Sequence, residues 1–352
     1  PAGHRSGGGG DCGIAPGCPH PGRDNRGMSL SAGDASPPHP LIVPFASRLT
    51  VACRAALPTL QLPQLDALLA RLAVQDEDAQ DDDSLSPPHE RALARALGLQ
   101  AGDGMLPWAA LEAQRADLPG AHDAAWGLVT LCHWQVGMSE VVLGDPARMA
   151  IEPMESDALL AAARPFFEED GIALFATAQP GHWLARSALF DGLATASPDR
   201  ATGQPLAQWL PMSDAARPLR RLQNEMQMLL YTTRVNDERT ARGLLPINSF
   251  WLSGTGRLPS PPPAPVAPPT VDRSLRDAAL QDDGEAWVAT WQALDAGPIA
   301  DLRARSQRGE AVSLTLCGDR AAQRWAPVQR GLVQRFLSRF GRQRPSAVLE
   351  QL

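Results

Sequence analysis

The sequence predicts an α+β fold. A ferredoxin-like βαββαβ unit over residues 121–259 is flanked by a helical N-terminal region (41–120) and a small α/β C-terminal unit (272–352). Three observations carry this expectation. The middle third reads strand, helix, strand, strand, helix, strand. A leucine stripe at helical spacing opens the globular part. A proline run, at 260–271, sets off the last third.

Taken in order, residues 1–40 read as a disordered tail, because "PAGHRSGGGGDCGIAPGCPHPGRDNRG" holds almost nothing apolar to bury. Met28 is the expected natural start, with 1–27 an over-extended reading frame; a genuine tail is the alternative. Leu62, Leu65, Leu68, Leu69 and Leu72 then fall on one helical face. The acid run "QDEDAQDDD" (75–83) lacks the glycine and terminal glutamate of a calcium loop and reads as a solvated loop. "PPHERALARALGL" follows as a second helix, with Pro88 near its start.

In the central unit "WGLVTLCHWQ" (126–135) reads as a strand. Residues 155–167 read as a helix capped by Ser156 or Asp157 and ended or kinked by Pro165. "GIALFATA" is a strand, Pro180-Gly181 a turn, and "HWLARSALF" the return strand. The next helix, "SDAARPLRRLQNEMQMLLY", aligns Leu219, Leu222, Met226, Leu229 and Leu230. "INSFWL" is the fourth strand, with a glycine turn after it. "SPPPAPVAPP" is a polyproline spacer. Beyond it come a helix, the buried strand "AVSLTLCG", and an amphipathic helix, "VQRGLVQRFLSRF", whose companion arginines (Arg320 to Arg344) read as a solvated face.

Composition narrows the function. A net charge of −7 over 352 residues argues against a nucleic-acid binder, which needs basic surface. Every basic side chain of the Lys+Arg class is arginine, so Schiff-base and P-loop lysine chemistry are excluded. The five cysteines have no C-x-x-C spacing; Cys53, Cys132 and Cys317 read as buried thiols in a reducing compartment. No apolar run approaches the roughly 20 residues that span a bilayer. The cytoplasm is therefore the expected location, without a membrane partner.

Of the seven histidines, none shows local metal-ligand spacing, and no cofactor or metal is expected. His133 reads as structural, while His182-Trp183 sits at a turn where it would line a cleft. G-x-S-x-G is absent, and Ser249 and Ser253 have no neighbouring base. Glu168-Glu169-Asp170 reads as a polar turn rather than an acid/base pair.

One stretch stands out: "TRVNDERTARGLLPINSFWLSGTG", 233–256. Arg239 suits a bidentate grip on phosphate or carboxylate. Asn236 and Asn248 offer donors and acceptors, and Trp251 a pocket wall. Gly254 and Gly256 free the backbone to aim N–H groups at an anion. By spacing alone the same residues equally describe a helix, loop, strand and glycine turn.

The run resembles that of bacterial RpfE-type regulatory proteins, often labelled phosphoglycerate mutase. Their pattern is close to H-P-V-N-x-x-R-x-x-x-G-L-P-P-[IV]-N-S-[LVF]-W-[FL]-W-G-G-G. Val235, Asn236, Arg239, Gly243, Leu244, Pro246, Ile247, Asn248, Ser249, Trp251, Gly254 and Gly256 match. Thr233-Arg234 replaces the family's His-Pro, and Ser253-Gly254-Thr255-Gly256 its W-G-G-G. A shorter likeness joins the segment to archaeal-type cofactor-independent phosphoglycerate mutases, which need a serine nucleophile and Asp/His clusters around two metals. No such cluster is legible here.

The resemblance implies a non-catalytic regulatory or accessory protein that binds a small phosphorylated or carboxylated metabolite, with an unidentified protein as the other kind of partner. A degenerate mutase-like metalloenzyme and a protein-interaction module are the alternatives.

Overall fold

Short apolar strands dominate the edges of the chain, and they need partners from far away in sequence. The computed structural model describes residues 39–260, 267–327 and 345–352. The tail expected over 1–40 lies outside the described residues up to 38, as do positions 261–266 of the proline run and the arginine-rich helix expected at 328–340. The described residues belong to one compact unit.

The N-terminal part runs β1 (His39–Val43), α1 (Val51–Ala56), α2 (Pro63–Leu69), β2 (Ala73–Ala79), α3 (Pro88–Ala96) and α4 (Trp108–Arg115). The expected leucine face holds, since Leu62, Leu65, Leu68, Leu69 and Leu72 are all buried in one core. Two expectations change. The region is not purely helical, and the first part of the acid run is strand β2 rather than loop. β2 is a sheet edge, where charge blocks further strand addition. Its Asp78 is held by Arg91 Nε at 2.6 Å.

The central part runs β3 (Trp126–Cys132), β4 (Trp134–Val136), β5 (Val141–Leu143), α5 (Pro153–Glu169), β6 (Ala173–Ala176), β7 (His182–Arg186), α6 (Pro198–Ala201), α7 (Arg217–Tyr231), α8 (Arg234–Ala241) and β8 (Ser249–Gly256). Four of these strands form an antiparallel sheet in the order β6-β7-β3-β8. One sheet face packs Val129, Trp183 and Phe250 against Leu159 and Phe167 of α5 and Leu222 and Met226 of α7. The other packs Trp126 and Leu184 against Ala109, Ala110 and Ala113 of α4.

Three local readings are corrected. Helix α5 passes through Pro165 to Glu169 without ending there. Ala161, whose carbonyl loses its donor to the proline, and Pro165 itself are both exposed, so water can satisfy that carbonyl. The cap is Glu152, whose N–H donates to Glu155 Oε2 at 2.9 Å, while Ser156 is buried inside the helix. Gly254 and Gly256 do not form a turn after the fourth strand. They are its last residues, and the pairing with β3 shifts register between Trp126 and Leu128 there.

The C-terminal part runs β9 (Thr270–Val271), α9 (Arg276–Leu280), α10 (Gly284–Leu294), α11 (Ala300–Gln307), β10 (Val312–Cys317), β11 (Ala321–Ala326) and a helix at Pro345–Leu349. It does not stand as a unit of its own. The second sheet has the order β2-β11-β10-β1-β9, with β1 parallel to both β9 and β10. Residues 41–120 and 272–352 each hold only part of that sheet, so neither satisfies its backbone alone. Trp287 and Trp291 close the shared core, donating through their indole nitrogens to Phe45 O and Ala46 O, each at 3.1 Å.

Candidate functional site

Helices α3 and α4 follow one another in sequence but pack on different sheets. Ala92 of α3 joins Ile42 and Cys317 of the five-stranded sheet, and α4 covers the four-stranded one. Between them lies a cavity of about 420 Å³. Its apolar wall is Leu93, Leu97, Leu106, Trp108, Leu111 and Leu128. Its polar groups come from β3 (Thr130), β7 (His182), β8 (Ser253) and the segment around α6.

Glu90 sits at the back. It accepts from Trp108 Nε1 at 3.0 Å and Ser197 Oγ at 2.5 Å. Burial pushes its carboxyl up, against the opposing pull of His89 and those two donors. Next to it, His89 Nε2 lies 3.2 Å from Asp199 Oδ2, and Arg276 Nε donates to Asp199 Oδ1 at 2.7 Å. Arg276 also holds both oxygens of Asp145, at 3.0 and 3.1 Å. Burial alone would raise the Asp199 carboxyl, but His89 and Arg276 hold it well below the usual carboxylate range. This network joins α3, α6, α9 and the loop before Pro146.

At the rim, Arg273 is exposed and makes no ion pair among the described residues. Arg115 lies beside Glu112, whose carboxyl burial pushes up. Thr130 is 2% exposed and its hydroxyl has no partner among the described residues. Burial pushes the His182 imidazole down, and its Nε2 is 2.9 Å from Gln179 Nε2, consistent with a neutral ring accepting from the amide. The geometry therefore offers an apolar slot, with Thr130 and His182 on one side, the Glu90 and Asp199 network on another, and Arg273 and Arg115 beside Glu112 in its lining.

The residues singled out in the 233–256 run do not converge on this cavity. Arg239 is 0% exposed, and each guanidinium nitrogen already has a partner: Leu245 O at 2.9 Å, Glu155 Oε2 at 2.6 Å and Met149 O at 2.6 Å. Asn236 Nδ2 donates to Leu230 O and Ile247 O at 2.7 and 2.6 Å, and its oxygen accepts from Ile247 N at 2.7 Å. Asn248 pairs with both backbone groups of Trp134, at 2.7 and 2.9 Å. Trp251 is buried and donates to Ala196 O at 2.9 Å. Gly256 lies against Pro107. Gly254 alone among the six lines the cavity, with φ at +61° where the chain passes Trp108. Their side-chain polar atoms bond buried backbone and, at Arg239, also the Glu155 carboxylate.

His133 is structural as read, its Nδ1 2.8 Å from Pro246 O. The three described cysteines are free and buried. Of the His182-Trp183 pair, His182 lines the cavity, whereas Trp183 is buried in the core, and both belong to strand β7 rather than to the turn. Sequence reasoning missed Glu90, Asp199 and Arg276. Glu90 follows His89 at a proline-marked helix start, which was a visible signal, but of its partners Trp108 is 18 residues away and Ser197 is 107 away. Among the described residues no group of three or more His, Cys, Asp and Glu side chains is arranged to hold a metal ion, and no helix is long and apolar enough to cross a membrane.

No family model matches the sequence, and no curated protein matches it. Among solved structures, the chain is similar at 14% identity to a cofactor-independent phosphoglycerate mutase from Thermoplasma acidophilum, covering 89% of this chain and 99% of that one with a TM-score of 0.35. It is also similar at 14% identity to the PH0037 protein from Pyrococcus horikoshii, covering 83% and 88%, with a TM-score of 0.41. Neither score is high enough to show a shared fold.

Proposed function

We propose that this is a non-catalytic accessory protein of the RpfE type, acting in the cytoplasm, that binds a small carboxylated or phosphorylated metabolite between α3 and α4. The observation that carries the reading is the cavity itself: about 420 Å³, walled by leucines and Trp108, with Arg273, which makes no ion pair among the described residues, in its lining. An anionic group would meet Arg273, and an apolar body would lie along Leu93, Leu111 and Leu128. The RpfE assignment is supported by the run from Val235 to Gly256, of which Ser253 and Gly254 line the cavity. The buried free thiols suit a reducing compartment. We also read the four-stranded sheet as the ferredoxin-like unit, because β3-α5-β6-β7-α7-β8 supplies the strand order and puts both helices on one face.

A ligand that binds only the folded state raises the melting temperature by mass action. A thermal-shift panel of small carboxylates and phosphate esters on the full chain is expected to show a concentration-dependent rise for at least one compound. No shift for any of them at millimolar concentration would sink the reading.

A further inference from the structure

The charged side chains that line the cavity between α3 and α4 fall into two classes. Asp199 and Arg276 are bonded to each other, and Arg276 also to Asp145 and Asp277, so their charges are matched within the chain. Glu90, Glu112, Arg115 and Arg273 line the same cavity, and none of them makes an ion pair among the described residues. Carboxyls and guanidiniums thus share one cavity without closing on one another.

Glu90 is the most constrained of these. Its oxygens accept from Trp108 Nε1 at 3.0 Å and Ser197 Oγ at 2.5 Å. Both donors are neutral, so they occupy lone pairs but bring no counter-ion. A carboxylate withdrawn from water is costly until a cation reaches it. Burial pushes Glu90 up against the pull of His89, and the charge on Asp199 adds to the push. Burial likewise pushes up Glu112, against the pull of Arg115.

Trp108 stands by both carboxyls. Its indole nitrogen is bonded to Glu90, and Glu112 follows one turn further along α4. An aromatic ring beside carboxylates suits an ammonium group. The guanidinium of Arg273 suits the opposite charge.

We propose that the ligand of this cavity carries a primary amine as well as its carboxylate or phosphate, with the ammonium at Glu90 and Trp108 and the anion at Arg273. An apolar body between them meets Leu93, Leu111 and Leu128. Such a ligand matches lining charges of both signs, whereas a plain anion leaves Glu90 without a cation. The inference rests on the reading of this cavity as a ligand site and narrows it to amino acids and amino phosphates.

The test is isothermal titration of the full chain with matched pairs that differ in the amine: leucine with isocaproate, ε-aminocaproate with caproate, and aminoethyl phosphate with ethyl phosphate. In at least one pair the amino compound is expected to bind about tenfold more tightly, the worth of one charge-assisted contact. An advantage in the first two pairs identifies an amino acid, in the third an amino phosphate. Glu90→Gln keeps the size of the side chain and removes its charge, and is expected to cut the advantage to about threefold or less. Glu112→Gln changes a side chain with no hydrogen bond among the described residues, and is expected to cut it by a smaller factor. Amine-free compounds that bind as tightly as their partners in every pair would overturn the inference and leave the cavity reading standing. So would an undiminished advantage in folded Glu90→Gln or, should that variant not fold, in Glu112→Gln. No binding by any compound would overturn both.

Discussion

Arg239 shows how a residue suited to gripping an anion is put to another use. Its head is enclosed by Glu155 and two backbone carbonyls, with side-chain exposures of 1% for the arginine and 10% for the glutamate. Removing the arginine leaves Glu155 with Arg242 on its other oxygen but takes the donor from two carbonyls and one carboxylate oxygen, at a cost of about 1–3 kcal/mol. Arg239→Met is therefore expected to lower the unfolding free energy by about that amount in urea, while leaving ligand affinity in folded protein unchanged. The arginine was legible in the sequence; its partner, 84 residues away, was not.

Glu90 gives a pH test. Burial raises its folded pKa above the ordinary value of 4.5. A raised acid stabilises the fold below that value, and the contribution is lost as pH rises through the folded pKa. Glu90→Gln cannot ionise, so its urea midpoint is expected to gain on the natural protein as pH rises above the ordinary value of 4.5. Parallel curves would contradict it.

At the scale of elements, local pattern found most helices and strands of the central unit because their apolar periodicity is strong. It failed where a tertiary partner decides. β2 looks like a loop because its charges face outward from a sheet edge, and only pairing with β11 makes it a strand. Gly254 and Gly256 look like a turn because glycine marks turns, yet here they let β8 bulge past α4. A Cβ at Gly254 would lie 3.0 Å from Trp108 Cβ, at φ +61°. Gly254→Ala is expected to destabilise by about 1–3 kcal/mol, from the left-handed backbone and the crowding together. Equilibrium denaturation reads this directly, and an unchanged midpoint would mean α4 shifts freely.

For the whole molecule, the sequence hides that its two ends build one sheet. β1 is five residues long and sits between β9 and β10, which arrive more than two hundred residues later. A single short strand carries no sign of such partners. The cavity between α3 and α4 was equally hidden, because its walls come from two helices that pack on different sheets and from three strands of the four-stranded one. Arg276 binds these parts together through Asp145 and Asp199, all three side chains being 10–12% exposed. Arg276→Gln leaves two carboxylates without their cation and is expected to cost about 3–5 kcal/mol in urea.

The central claim is that the cavity between α3 and α4 takes a small anionic metabolite with its charged group at Arg273. Isothermal titration of the best compound from the thermal-shift panel, against the natural chain, Arg273→Gln and Ala147→Trp, tests it most directly. Saturable one-to-one binding is expected, weakened about tenfold by Arg273→Gln through loss of one charge-assisted contact, and abolished by Ala147→Trp, which fills the mouth. Equal binding by all three proteins, each shown to be folded, would contradict the account.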